Sequence, residues 1–101
     1  MFAARPDGII VSRHPATVDF IRHDCPGATS FPIVAEATKE DVEGQHVFGN
    51  IPLHLCVLAD KVTAIEYDSE PPRDTEYTFE EMKKSAWLRT YYVYNVRPRQ
   101  V

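Results

Sequence analysis

Gly8-Ile9-Ile10-Val11-Ser12-Arg13-His14-Pro15 is the stretch on which the fold turns. A short β-branched run opened by glycine reads as a buried strand over residues 8–12. Pro15, with its fixed φ and missing N–H, suits the first turn of a helix. In that helix Val18 and Ile21 share one face, Asp19 and Arg22 point towards water, and Cys25-Pro26-Gly27 stops it. A strand feeding a helix through a tight turn is the building unit of an α/β protein. Ser12, Arg13 and His14 lie between the two elements, so a hydroxyl, a guanidinium and an imidazole stand beside helix N-terminal N–H groups. That arrangement suits an anionic ligand, above all a phosphate.

Outward from this unit, residues 1–7 read as a loose lead-in. Residues 28–34 read as a second strand, with Pro32 pointing to an edge or a distortion. Residues 38–44 form a polar connection, and 45–48 a short third strand. Gly49-Asn50-Ile51-Pro52 then repeats the logic of the first turn, with Pro52 opening a helix through residue 59. Residues 62–67 are a fourth strand. The acidic, proline-containing segment 68–77 is a solvated loop or, on a sharper reading, a lid. Thr78 and Glu81 make a capping box for a helix carrying Phe79, Met82 and Lys83, and 88–96 is an aromatic strand around Tyr91-Tyr92-Val93-Tyr94.

The order β-α-β-β-α-β-α-β predicts one domain over residues 1–101, α/β in class. The expected architecture is a three-layer, Rossmann-like domain with a mainly parallel central sheet. Ligands of such sheets bind beyond the carboxyl ends of the strands, where connections diverge to opposite faces. The Ser12 turn and the Gly49 turn are the two candidates for that crevice.

Composition narrows the ligand. A net charge of −4 over 101 residues argues against long DNA or RNA, which needs a broad basic face to displace counterions. Cys25 and Cys56 form neither a zinc pattern nor a disulfide framework, and read as reduced thiols. No apolar run approaches the roughly 20 residues that span a membrane, and no secretory signal follows Met1, so the expected location is cytoplasmic. His14, His23, His46 and His54 lack metal-ligand spacing, and neither a metal nor any other cofactor is expected.

Arg13 and His14 are the candidate catalytic pair, because guanidinium neutralises a phosphoryl oxygen in a two-pronged contact and imidazole moves a proton near neutral pH. The plain alternative is that His14 caps the helix and Arg13 is a surface charge. Ser12, Gly49, Asn50, Ile51 and His54 are the candidate substrate-binding residues. For His54, beside Leu53 and Leu55, the alternative is a packed helix residue; for Asn50 it is a helix cap. The tyrosine run reads as strand packing, with one ring able to stack on a base.

Val11-Ser12-Arg13-His14-Pro15 resembles the V-S/T-R-H-P-like motif of the small CRISPR-associated accessory proteins called Csx-sixteen. Gly49-Asn50-Ile51-Pro52-Leu53-His54-Leu55 resembles that family's G-x-L-P-x-H-L-like motif, with Ile51 in place of the usual Leu. The strand 62–67 and the segment Thr78-Phe79-Glu80-Glu81-Met82 follow in the family's order, so the likeness covers roughly residues 8–94. Lys83-Lys84-Ser85-Ala86-Trp87 lacks the family's Gly, and the last strand is longer and more aromatic than the family's.

The resemblance implies a ring nuclease related in fold to CARF sensor domains. Such a protein binds cyclic oligoadenylate, the messenger of type III CRISPR defence, and linearises it without metal. It further implies a homodimer with cyclic tetra-adenylate on the twofold axis, and Arg13 and His14 of each subunit at a scissile phosphate. A non-catalytic module that senses or sequesters the messenger shares the same pocket. A histidine-type phosphatase is a third reading, since Arg13-His14 after a first strand resembles the start of that family, with Pro15 where it has Gly.

Overall fold

The computed structural model describes residues 8–68 and 77–96, so the lead-in 1–7 and the interior of the acidic segment lie outside the described residues. Strand β1 (Gly8–Val11) runs into helix α1 (Pro15–Asp24), a 3₁₀ turn (Pro26–Ser30) and strand β2 (Ile33–Val34). Helix α2 (Lys39–Val42), strand β3 (His46–Phe48), helix α3 (Leu53–Cys56) and strand β4 (Lys61–Tyr67) follow, and helix α4 (Phe79–Ser85) leads directly into strand β5 (Ala86–Tyr91). The five strands form one sheet in the order β2-β1-β3-β4-β5. β1 pairs in parallel with β2 and β3, and β3 with β4; β5 alone is antiparallel, against β4. The protein is an α/β domain with a five-stranded, mostly parallel sheet and four helices.

Alternation along the strands divides the core. Ile10, Phe48 and Ile65 join Val18, Phe20 and Ile21 of α1 and Met82 of α4 in one cluster. Ile9, Val47 and Val62 join Val42 of α2 and Cys56 of α3 in another. Successive residues of a strand point to opposite faces, so Ile9 and Ile10, or Val47 and Phe48, serve different clusters. Phe20, Phe48, Ile10, Ile21 and Met82 are fully buried, each contributing about 1.5–3 kcal/mol relative to exposure. No helix among the described residues is long and apolar enough to cross a membrane.

Four elements depart from the sequence expectation. The strand expected over 28–34 shrinks to two residues: Pro26 starts a 3₁₀ turn, and the Thr29 hydroxyl closes it by donating to the Pro26 carbonyl at 2.7 Å. The polar connection at 38–44 contains α2, held by a capping box between Thr38 and Asp41. The extra helix lies in the connection by which the chain crosses from β2, on one side of β1, to β3 on the other. In α3, Pro52 takes the N-cap position with extended backbone and the regular helix ends at Cys56, three residues early. β5 ends at Tyr91, opposite Val62, one residue short of Lys61, where β4 begins.

Candidate functional site

Val11, Val34, Phe48 and Tyr67 end the four parallel strands in the same direction, with β4 running four residues past Thr63, the partner of Phe48. The Ser12 N–H still donates to the Val34 carbonyl at 2.9 Å, tying the chain to β2 one residue past β1. The Ser12 hydroxyl accepts from the His14 N–H at 3.1 Å and closes a tight turn on whose surface Arg13 and His14 are exposed. His14 is the N-cap residue of α1 with extended backbone, φ −111° and ψ 116°. Its carbonyl accepts from Thr17 and Val18 at 3.0 and 3.2 Å, while its imidazole makes no cap hydrogen bond. The backbone of His14 starts the helix, and the side chain is not what caps it.

Beside this turn opens a crevice of about 320 Å³. Ser12, Arg13, His14, Thr17, Asn50 and Tyr67 supply its polar lining, and Val11, Ala35 and Ile65 its apolar part. On the other side of the same turn a second hollow, about 310 Å³, runs between α1 and Ile33. Arg13 and His14 therefore stand on a ridge shared by two depressions. Arg13 is ion-paired with Glu36, with side chains 58% and 76% exposed. Glu36 follows β2 by two residues, and it reaches Arg13 because β1 and β2 end side by side. A pair this exposed contributes roughly 0.2–1 kcal/mol, little enough for an incoming anion to displace the carboxylate.

The Gly49 turn meets the first turn through its backbone. Gly49 has φ +138°, and a Cβ there would lie 2.4 Å from the Val11 carbonyl oxygen. Asn50 then uses its side chain as a surrogate strand. Its Nδ2 donates to the Ile65 carbonyl at 3.2 Å, and its Oδ1 accepts from the Ile65 N–H at 3.0 Å, prolonging the ladder that its backbone has left. Asn50 reaches the crevice with an amide committed to β4, and it does not cap α3, whose N-cap is Pro52.

Three expected binding residues, Gly49, Ile51 and His54, lie outside this crevice. Ile51 packs in the cluster of α2 and α3, its carbonyl facing the Cys56 thiol at 3.5 Å. With Gly49, Leu53, Tyr91 and Val93 it lines a separate, mostly apolar groove of about 300 Å³. His54 is exposed on α3 and lines none of these three cavities. The structure thus corrects a pocket composed of both turns: only Asn50 crosses from the second turn to the first. The cause is the apolar faces of Ile51 and Leu55, which pull the segment into the second cluster.

Tyr67 is the aromatic lining residue that sequence reading missed, along with Thr17, Ala35 and Ile65. It ends β4, and its ring packs at 5.3 Å from that of Tyr77, inclined by 59°. Burial, and secondarily Tyr77, push the Tyr67 phenol above its ordinary value of 10.0, so it stays neutral at physiological pH. The emphasized tyrosines have other work. Tyr91 donates its hydroxyl to Glu66, and Tyr92 and Tyr94 are exposed. That hydroxyl, helped by Trp87 at 3.0 Å and Arg89 at 3.2 Å, holds Glu66 below the usual carboxylate range. Of the suggested lid, only its ends Asp68 and Tyr77 are described. Among the described residues no three His, Cys, Asp or Glu side chains gather as a metal-ligand group.

Fold and crevice together define a class: an α/β protein with a small polar site at the carboxyl ends of a mostly parallel sheet. Comparison with known protein families, curated proteins and solved structures finds no match.

Proposed function

We propose that this chain is a metal-independent ring nuclease with a three-layer, Rossmann-like fold of the CARF type, similar to the Csx-sixteen family. One observation carries the reading: Ser12, Arg13 and His14 line one crevice where the chain diverges from β1, first to β2 on one side and then to β3 on the other. Doubly wound sheets of this strand order bind phosphate-bearing ligands at that switch point. The division of the helices between two core clusters supports the layering.

The ligand is a cyclic oligoadenylate, with cyclic tetra-adenylate the first choice. Arg13 neutralises the equatorial oxygens of the scissile phosphate as negative charge builds in the transition state. The substrate's own 2′-oxygen attacks phosphorus in line, its proton passing to solvent, and the bond to the 5′-oxygen breaks. His14 donates its proton to that leaving oxygen. The products are a 5′-hydroxyl and a 2′,3′-cyclic phosphate. About 320 Å³ is near the lower end of small-molecule pockets, roughly 300–1,000 Å³, and suits one nucleotide better than a ring of four. A homodimer presenting two crevices across a twofold axis supplies the rest. Such a protein works in the cytoplasm, where the messenger is made.

The Arg13–Glu36 pair favours a second reading, a non-catalytic module that holds the ring once the carboxylate swings away. A histidine phosphatase needs several Arg and His residues around its phosphate, and the crevice lining has one of each. The deciding experiment is incubation of the full chain with labelled cyclic tetra-adenylate in EDTA. A linear product ending in 2′,3′-cyclic phosphate is expected, lost in Arg13→Ala and His14→Ala. Tight binding with the ring intact selects the binding module, and an intact, unbound ring overturns both.

A further inference from the structure

The crevice that Arg13 lines also has a tyrosine, Tyr67, in its wall. We infer that Tyr67 is a nucleobase platform, so that the crevice takes a mononucleotide unit with its base against Tyr67 and its phosphate at Arg13 and His14. The inference rests on the phosphate-binding reading of the Ser12 turn and adds the base to it.

Strand order sets the span. β1 and β4 are separated by β3 alone, about 10 Å across the sheet, and by the pairing register Tyr67 stands three residues beyond the level of Val11, so the two strand ends lie roughly 14 Å from each other. A whole nucleotide, with base, ribose and phosphate in line, spans a gap of that order. The chemistry changes across the gap in the same sense. Arg13 and His14 stand at the β1 end, whereas Ile65 and the neutral Tyr67 at the β4 end offer no cation for a second phosphate. Tyr67 is half-buried and backed by Tyr77, so its ring is held in place before a ligand arrives. Stacking on a pre-positioned ring spends little conformational entropy. Alanine substitution at such platforms weakens binding by about 5- to 150-fold per base.

The test is calorimetric titration of the full chain with adenosine 5′-monophosphate and with ribose 5-phosphate. The nucleotide is expected to bind at least about fivefold more tightly. Tyr67→Phe keeps that advantage. Tyr67→Ala removes it and leaves ribose 5-phosphate affinity unchanged; Tyr67→Leu, which keeps apolar bulk without a π face, does the same and guards against misfolding of the alanine variant. Equal affinity of the two compounds, an advantage that survives Tyr67→Leu, or no binding of either overturns the platform. Cyclic tetra-adenylate assayed in parallel separates the two claims. Cleavage of the ring without any base advantage overturns the platform alone; a base advantage lost in Tyr67→Leu, with the ring neither bound nor cut, overturns the ring-nuclease reading alone.

Discussion

Gly49 answers two demands at once, a φ of +138° and a backbone approach to Val11 that a methyl group would block at 2.4 Å. Gly49→Ala is therefore expected to destabilise the fold by at least about 2 kcal/mol, visible as a lower urea midpoint; an unchanged midpoint contradicts the turn geometry. Gly44, at φ 70° with open space around its Cα, makes a lighter demand. The crevice itself is governed by pairings of the same local kind. Glu36 occupies Arg13, so Glu36→Gln should tighten adenosine 5′-monophosphate binding by roughly 1.4- to 5-fold, the worth of an exposed ion pair. His14→Ala should slow ring opening by about 10²- to 10⁴-fold while binding persists, since a general acid acts only on the leaving oxygen. Equal losses of binding and rate would instead make His14 a ligand contact. Arg13 and His14 were legible because chemistry-bearing side chains after a strand announce themselves; Tyr67 was not, because an aromatic at the end of an apolar run reads as core.

Elements were legible where one signal dominated. The first strand and helix follow from a β-branched run, a tight turn and Pro15, all local, and they form over Gly8–Val11 and Pro15–Asp24. The helix after Thr78 follows from its capping box, which the structure contains: Glu81 N–H donates to Thr78 Oγ1 at 3.2 Å, and Thr78 N–H to Glu81 Oε1 at 3.0 Å. Thr78→Ala is expected to cost about 1 kcal/mol, read as a lower Tm, and no change would mean that packing of Met82 alone holds α4. Its counterpart at Thr38 was missed because Asp41 stands where a capping box usually carries Glu or Gln, and α2 has one buried residue, Val42, to reveal a period. The limits of β5 had no local signal at all. Residues 92–96 are as β-prone as those before them, yet the strand stops opposite Val62, one residue short of where β4 begins.

On the scale of the whole molecule, a polar side-chain relay links three strands, β3, β4 and β5. His46 Nε2 meets Thr63 Oγ1 at 2.6 Å, and Thr63 meets Thr90 at 2.7 Å. Burial, then the charge of Lys61, push His46 below its ordinary 6.5, with Asp60 opposing. The unfolded chain then takes up a proton near pH 6.5 that the folded chain refuses until lower pH. Stability should be flat above about 6.5 and fall as pH drops below it, a slope that His46→Gln removes in urea titrations between pH 5 and 8. Glu66, lowered by Tyr91, adds a second loss below about pH 4.5.

The α/β class, the mostly parallel sheet and the Ser12-Arg13-His14 turn were determined by sequence, because periodicity, proline and glycine act over a few neighbouring residues. Tertiary structure decided that β2 and β3 flank β1, that Asn50 but not Ile51 or His54 joins that turn, that Glu36 pairs with Arg13 and that Tyr67 lines the crevice. Those are matters of which strand ends lie side by side, set by the burial of two apolar clusters on opposite faces of one sheet.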